Sequence, residues 1–336
     1  MHLNAACDAA ARTAVAVATR KRVHAATNAA ATAAALCTSP AAHAHTTVSS
    51  VADPLTFAAV EPWVVGCLAI SALLYAIGLR RVWRGATGGR HLLRRRALAF
   101  GAGWLVLTVA LVPPLDGLGT MLFSGHMVQH ELLMIVAAPL LVLGHPLGIW
   151  VWALPPRWRR TTGAFFHAPA WRGPWKVVTA PLAAWLLHAL VLWVWHAPAL
   201  FDAALRHPAI HVAQHIAFLA TALLFWWSVL GSASRPRQGV ALLSLFTTTV
   251  HTGALGALLA LASTPWYRSY LASTRAFGLE PLQDQQLGGL VMWVPGALAY
   301  LIAALWLAAR WIGPSRPGTG TPVAGLAVLT SSRGRS

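Results

Sequence analysis

Seven segments of this chain, each about 20 residues long, consist almost entirely of apolar side chains. A helix needs a run of that length to cross the hydrocarbon core of a bilayer. We therefore predict an all-α membrane protein, a bundle of seven transmembrane helices. A further apolar stretch at 147–154 is too short to cross and is predicted to lie at the interface. The predicted spans are residues 62–79, 97–115, 121–143, 178–195, 211–230, 240–263 and 287–311.

The charge content supports the same class of protein. Only 10% of the residues are charged and 57% are hydrophobic, whereas a soluble domain usually has about 25% charged residues. The 17 tryptophans suit membrane interfaces, where an apolar ring with one polar group is well placed. The formal net charge of +17 does not indicate nucleic-acid binding, because the basic residues cluster in short loops between the apolar spans.

Lysine and arginine are distributed unevenly between the two sets of loops. Eighteen of them follow the first, third, fifth and seventh spans, whereas the opposite loops contain only Arg206, Arg268 and Arg275. The positive-inside rule therefore predicts an outer N-terminus and a cytoplasmic C-terminus. The predicted cytoplasmic set is Arg80, Arg81, Arg84, Arg90, Arg94, Arg95, Arg96, Arg157, Arg159, Arg160, Arg172, Lys176, Arg235, Arg237, Arg310, Arg316, Arg333 and Arg335.

The first 44 residues differ from the rest of the chain. A basic Arg20-Lys21-Arg22 run is followed by a weakly apolar stretch at 25–36 and by Ala42-His43-Ala44, which is the pattern of a cleaved secretory signal. The alternative is a disordered extension. We predict four parts: a signal peptide or extension at 1–44, an outer segment at 45–61, the membrane domain at 62–311 and a disordered cytoplasmic tail at 312–336.

The motif His-x-x-Gln-His occurs twice, at 126–130 and at 211–215, each time at the outer end of a predicted span. Upstream of each motif an aspartate follows a proline, Asp116 in one case and Asp202 in the other. A weaker third echo at 281–286 precedes the last span and contains no histidine. The pattern suggests a duplicated two-helix unit in parallel orientation. Convergence on a common geometry of the outer turn is the alternative.

Histidines four residues apart lie on one helical face, with Cβ atoms ~5–6 Å apart, so both rings can reach one metal ion. If the third and fifth spans are neighbours, four imidazoles converge, and a histidine at the end of the fourth span is a fifth candidate. Imidazole suits copper, zinc, iron and nickel, and the thioether of Met127 would favour Cu(I), although core packing is the alternative for Met127. The cysteines form no Cys-x-x-Cys pair. The candidate ligands are His126, His130, His211, His215, His196 and Met127.

A ligating imidazole usually has its second nitrogen held by a polar partner. The acidic residues after position 50 all map to outer loops or outer ends of spans, which suggests an acidic vestibule that attracts a cation, with plain solvation as the alternative. Interhelical hydrogen bonds are the alternative for the histidines, but two matched pairs of costly intramembrane groups favour a metal site. The candidate supporting residues are Asp116, Asp202, Glu131, Gln129 and Gln214.

Several motifs occur together in one order. They are His126-Met127-Val128-Gln129-His130-Glu131-Leu132-Leu133 with 138–146, then 195–205, then 211–215 with Phe225-Trp226-Trp227, then 284–296. In this order they resemble the CtaG family, the cytochrome c oxidase assembly factors of the caa oxidase type. The likeness covers roughly residues 54–311. It implies a seven-span protein of the bacterial plasma membrane that is needed to make an active haem–copper oxidase, with oxidase subunits as partners and a link to copper supply.

We therefore expect an assembly factor that handles Cu(I) at its outer face and catalyses no reaction. The sequence contains no nucleophile elbow, no Gly-rich phosphate loop and no paired mid-cleft carboxylates. An unrelated single-span copper chaperone shares the family's name, but its cysteine pair has no counterpart here. The alternatives are a haem-binding membrane protein, a metal-free scaffold for insertion of oxidase subunits and, more weakly, a transporter with proline-broken helices.

Overall fold

The computed structural model describes residues 61–86, 88–231 and 235–312, with the backbone alone at 235 and 236. The predicted signal segment at 1–44, the outer segment up to residue 60 and the predicted tail beyond residue 312 lie outside the described residues. Within the described part, all regular secondary structure is helical. The α-helices are α1 (Pro62–Gly85), α2 (Arg90–Leu111), α3 (Leu115–Met121), α4 (Phe123–Glu131), α5 (Ala138–Gly144), α6 (Pro146–Ala153), α7 (Pro156–His167), α8 (Pro169–Val178), α9 (Pro181–Trp195), α10 (Pro198–Arg206), α11 (Pro208–Leu230), α12 (Arg235–Ala260) and α13 (Pro281–Ile312).

Five helical segments of the described residues are long and apolar enough to cross a membrane: α1, the continuous run Phe123–Gly144, α11, α12 and α13. Two more spans arise if each bent pair counts as one, namely α2 with α3, bent by 42°, and α8 with α9, bent by 63°. Each of the seven predicted spans overlaps one of these segments. The prediction of an all-helical membrane protein is confirmed, with five to seven candidate spans.

The run Phe123–Gly144 lies at the centre of the bundle. Of its most apolar window, 67% is buried within the protein, compared with 17% for α1. It packs against α2, α11 and α13, while α1 packs mainly against α6. The first histidine motif is therefore surrounded by other helices rather than by lipid.

A π-helical segment, Leu132–Ala137, joins α4 to α5 inside this central run. In π geometry each N–H bonds to the carbonyl five residues back, as the N–H of Ala138 does with Leu133. The carbonyl of Met134 would need the N–H of residue 139, which is proline and has none. The indole Nε1 of Trp226 on α11 donates to that carbonyl instead, at 2.9 Å. A neighbouring helix thus completes the backbone pairing that the proline interrupts.

Small residues bring α12 and α13 into close contact. A Cβ added at Gly289 would lie 2.7 Å from the carbonyl oxygen of Gly256 and 2.5 Å from the backbone nitrogen of Ala260. No side chain larger than hydrogen fits at that crossing, which is a common way for membrane helices to approach closely. The resulting hairpin is one wall of the bundle.

The predicted repeat corresponds to a repeated arrangement of helices. In each copy a long helix ends before a proline, a short helix carries the aspartate, and a second long helix begins with the histidine motif. The first copy is α2, α3 and the run Phe123–Gly144 that begins with α4, and the second is α9, α10 and α11. This arrangement positions both motifs at the first turns of helices.

Candidate metal site

Four long helices begin at the same end of the bundle. The histidine motifs of α4 and α11 contact each other at their first turns. The first residues of α1 and α11 line one cavity, and Asp284 in the first turn of α13 bonds to the start of α4. We call this the histidine end. The described arginines that follow α1 and α6 lie at the opposite end, where Arg81 of α1 donates to carbonyls at the end of α6. Within the described residues, basic side chains and the histidine motifs thus lie at different ends of the bundle.

Asp284 holds the start of α4 in place. Its carboxylate accepts hydrogen bonds from the backbone N–H groups of Phe123, at 2.6 Å, and Ser124, at 3.1 Å, and from the hydroxyl of Ser124. These N–H groups belong to the first turn of α4 and have no partner within the helix. A buried carboxylate from α13 therefore caps the helix that carries the first histidine motif.

Five imidazole rings from three parts of the chain form one cluster. His126 and His130 on α4 have ring centroids 4.3 Å apart, as do His211 and His215 on α11. Between the two helices, His126 lies 5.4 Å from His211, and His130 lies 5.4 Å from His215. His196, which directly follows α9, lies 6.2 Å from His130. The predicted convergence of the two motifs, with His196 beside them, is what the geometry gives.

The cluster presents lone pairs that no described residue satisfies. The Nδ1 atoms of His126 and His196 lie 3.1 Å and 2.7 Å from the carbonyl oxygens of Gly119 and Leu192. A carbonyl oxygen only accepts, so each Nδ1 carries the proton and each Nε2 carries a free lone pair. The atoms that are buried and make no hydrogen bond within the described residues include Nε2 of His126, His130, His196, His211 and His215. Buried polar atoms normally have partners, so a set of free imidazole lone pairs such as this one is suited to binding a metal ion.

Potential ligand atoms fall into two overlapping groups. In the first, the nearest ring nitrogens of His126, His130 and His215 all lie within 4.8 Å of one another. In the second, the same holds for ligand atoms of Asp116, His211 and His215. His126 and His130 are fully buried, whereas Asp116 and His211 are only half-buried. A cation can thus be held at an inner position or at an outer one, with His215 common to both.

The supporting hydrogen bonds connect the cluster to the rest of the histidine end. The side-chain amide of Gln129 donates to a carboxylate oxygen of Asp116, at 2.8 Å, and to the carbonyl of Ala110, at 2.7 Å. The hydroxyl of Tyr270 donates to the carbonyl of Gly119, at 2.7 Å, the same oxygen that accepts from His126. Burial, reinforced by nearby carboxylates, raises the pKa of Tyr270 well above its ordinary value, so this hydroxyl remains a donor. Gln214, which directly precedes His215, is fully buried, and its side-chain amide has no hydrogen-bond partner among the described residues.

Three of the candidates lie away from the imidazoles. Met127 and Glu131 share a different face of α4, the one that faces α13, because they are four residues apart and about 100° around the helix from the histidines. A Cβ added at Gly288 would meet Met127, and one at Gly296 would meet the carboxylate of Glu131. Asp202 accepts from the backbone and hydroxyl of Ser269, at 3.1 Å and 2.8 Å. The fold thus uses Met127 in the core and Asp202 to hold the loop that precedes α13.

Two supporting residues, Asp284 and Tyr270, were not among the candidates, and only the first of them lies in a motif that the sequence displays. Asp284 belongs to the third echo of the repeat, and its distance from α4 in the sequence conceals its capping role. Tyr270 lies in the loop before α13, where no pattern distinguishes it from its neighbours. Both act across a sequence separation of more than a hundred residues.

The family model of the cytochrome c oxidase caa3 assembly factor matches residues 73–313. The chain is 26% identical over 247 residues to uncharacterized proteins of Mycobacterium bovis and Mycobacterium tuberculosis, covering 69% of this chain and 37% of each relative. It is 26% identical over 230 residues to an uncharacterized protein of Mycobacterium leprae, covering 62% and 33%. The chain therefore spans about a third of the length of these curated relatives.

No solved structure matches the chain significantly. The family match covers well over half of the sequence and includes the central run, both histidine motifs and Asp284. It agrees with the resemblance expected from the order of the motifs. The chain belongs to the cytochrome c oxidase caa3 assembly factor family.

Proposed function

We propose that this protein binds a copper ion at the histidine end and supplies it during assembly of a haem–copper cytochrome c oxidase. The observation that carries the proposal is the cluster of five imidazoles from α4, α11 and the end of α9, whose buried Nε2 atoms have no hydrogen-bond partner among the described residues. Membership of the family suggests the oxidase as the recipient, and the imidazole donor atoms suggest copper as the ion. The ion is the cargo, and the protein acts as a carrier without catalysing a reaction.

Copper fits the donor set. Neutral imidazole is a good ligand for copper, and the hydrogen bonds from Nδ1 of His126 and His196 hold these rings in the tautomer that a metal requires. The rings pack edge to face with centroids as close as 4.3 Å, which leaves no slot for the planar macrocycle of a haem between them. This packing favours an ion over the haem alternative.

The arrangement also suits release. A structural metal site is usually a closed cage of four ligands. Here the outer group is half-buried, and all ligands lie at helix ends rather than at mid-depth in the bundle. An ion held by such a set can leave by exchanging ligands with a partner, as a carrier requires.

We further propose that the histidine end faces outward from a bacterial plasma membrane and that the C-terminus lies in the cytoplasm. The positive-inside rule supports this orientation, because the basic loops lie at the opposite end. The partner would then be an oxidase subunit that accepts copper on the outer side.

The test is copper content per chain in protein purified after loading with Cu(I). The double variant His130→Ala/His215→Ala removes one ring of the inner group, His130, and the ring common to both groups, His215. Its copper content should therefore fall to background. The matched control is His188→Ala, which removes a buried histidine of the α9 helix outside the cluster. An unchanged copper content in the double variant would refute the proposed site, and an equal loss in the control would attribute the effect to folding.

A further inference from the structure

A cavity of about 360 Å³ adjoins the outer side of the imidazole cluster. Its lining includes residues at helix ends: Glu61 before α1, Pro113 after α2 and Pro208 at the start of α11. The cavity therefore extends to the histidine end. Its floor reaches down between α1, α2 and α11 as far as Ser71 and Leu219.

The lining of the cavity is mostly apolar, and its polar part includes the whole outer ligand group. Asp116, His211 and His215 all line the cavity, whereas the fully buried His126 and His130 do not. The only ionisable groups of the lining besides the two imidazoles are the carboxylates of Glu61 and Asp116 and the thiol of Cys67, and none of the lining residues is lysine or arginine. A cleft lined by one sign of charge concentrates ions of the opposite sign.

We propose that this cavity is the route by which a copper cation reaches the protein, with Asp116, His211 and His215 as a first, exchangeable binding position and His126 and His130 as the position that then holds it. His215 belongs to both groups and passes the ion inward by keeping one ligand bond while the others exchange. The inference rests on the proposed function, and it adds the path, the order of ligands and a role for Asp116.

The bonding of Asp116 is consistent with a loading role. One of its oxygens accepts from Gln129, which fixes the carboxylate at the cavity wall. Gln129 sits one residue before His130, so the same side chain connects the outer position to the helix that carries the inner one. The carboxylate adds negative charge where the cation arrives, and the inner position consists of neutral rings.

The route is tested by loading rates. Cys67→Trp places a large side chain in the cavity wall, and we expect it to slow Cu(I) uptake severalfold while copper content at equilibrium stays at the wild-type level. The matched control is Leu73→Trp, which adds an indole on the lipid-exposed face of the same helix. Uptake is followed as transfer of Cu(I) from a coloured chelator to the purified protein. Equal rates in the two variants would overturn the route.

Alkylation provides a test that does not depend on folding of a variant. Cys67 is a free, exposed cysteine of the described part of the chain, and a maleimide added to the folded protein should block the cavity and slow uptake. Cys67→Ala protein treated in the same way corrects for modification of Cys7 and Cys37, and its uptake should be unaffected. If alkylation of Cys67 leaves uptake unchanged, the cavity is not the route.

The role of the negative charge of Asp116 in attracting the cation is tested by Asp116→Asn, which keeps an oxygen acceptor for Gln129. We expect uptake about tenfold slower at low salt, with the difference reduced at high salt, because a focused field acts on the on-rate. The two proposals fail differently. Wild-type protein that takes up no copper refutes the proposed function, whereas normal copper content with unaltered rates in Cys67→Trp and Asp116→Asn refutes only the route.

Discussion

At the scale of single residues, the site depends on which nitrogen of each ring carries a proton. The carbonyls of Gly119 and Leu192 assign that proton to Nδ1 of His126 and His196, and this leaves Nε2 available. Both acceptors are backbone oxygens, and nothing in the side chains of Gly119 and Leu192 identifies them as partners of a histidine. What the side chains can bind is therefore decided by backbone atoms of neighbouring turns.

The cap at the start of α4 leads to a prediction at this scale. Asp284→Asn removes a charged acceptor from two N–H groups, and helix caps of this kind contribute about 0.5–2 kcal/mol. We expect a lower melting temperature in detergent and copper affinity about tenfold weaker, because the turn that carries His126 loses its anchor. Both are measured on purified protein, the affinity by competition with a Cu(I) chelator.

The control for this variant is Glu280→Gln. Glu280 lies one turn earlier, and its ion pair with Arg275 is exposed at the surface, so its loss should change neither measurement. Equal effects of the two substitutions would mean that charge near the loop, rather than the cap, is responsible.

At the scale of elements, the central run Phe123–Gly144 shows how a proline is accommodated inside a membrane-spanning helix. The π segment shifts the hydrogen-bond pattern by one residue just after Glu131, and Trp226 supplies the donor that Pro139 lacks. The shift also separates the register of α4, which carries His126 and His130, from that of α5, which packs against α2. The turn that carries the histidines and the turn that packs against α2 can thus face different neighbours.

Trp226→Phe keeps an aromatic ring against Tyr300 but removes the indole N–H, so the buried carbonyl of Met134 loses its partner. We expect a loss of about 1 kcal/mol in the free energy of unfolding, measured by thermal or denaturant unfolding in detergent micelles. Trp185→Phe is the matched control, since the Nε1 of Trp185 has no partner among the described residues. A loss as large in the control would exclude the carbonyl as the cause.

At the scale of the whole molecule, the fold separates two chemistries at the two ends of one bundle. The described arginines that follow α1 and α6 lie at one end, and the imidazoles and Asp116 lie at the other. The first kind of residue orients a membrane protein, and the second kind binds a cation. The side of the membrane at which the histidine end lies therefore follows from the orientation that the arginines set.

The orientation is tested with single cysteines in a background in which Cys7, Cys37 and Cys67 are all changed to alanine. Ala272 is exposed at the histidine end and Ala164 is exposed in α7, near the basic loops. We expect Ala272→Cys to react with a membrane-impermeant maleimide in intact cells and Ala164→Cys to react only after permeabilisation. The reverse pattern would place the histidine end in the cytoplasm and would contradict the proposed delivery on the outer side.

Much of the architecture follows from the sequence, because hydrophobic length and loop charge are local properties. The seven apolar runs each overlap a helical segment of the bundle. The spacing of His126 and His130, and of His211 and His215, places each pair on one helical face without knowledge of any other helix. That the two pairs lie close together was predicted only on the condition that the third and fifth spans are neighbours, because the sequence of a helix does not identify the helices that pack against it.

The sequence by itself determined a helical membrane bundle and two histidine pairs at helix starts, since both follow from periodicity and length. Only the tertiary structure decided which polar groups meet. It brought Asp284 to α4, Trp226 to the carbonyl before Pro139 and Asp116 to the outer imidazoles, and it directed Met127 and Glu131 toward α13. The physical reason is that helix rotation and neighbour choice are set by packing across the whole bundle, where the contacting residues are distant in sequence.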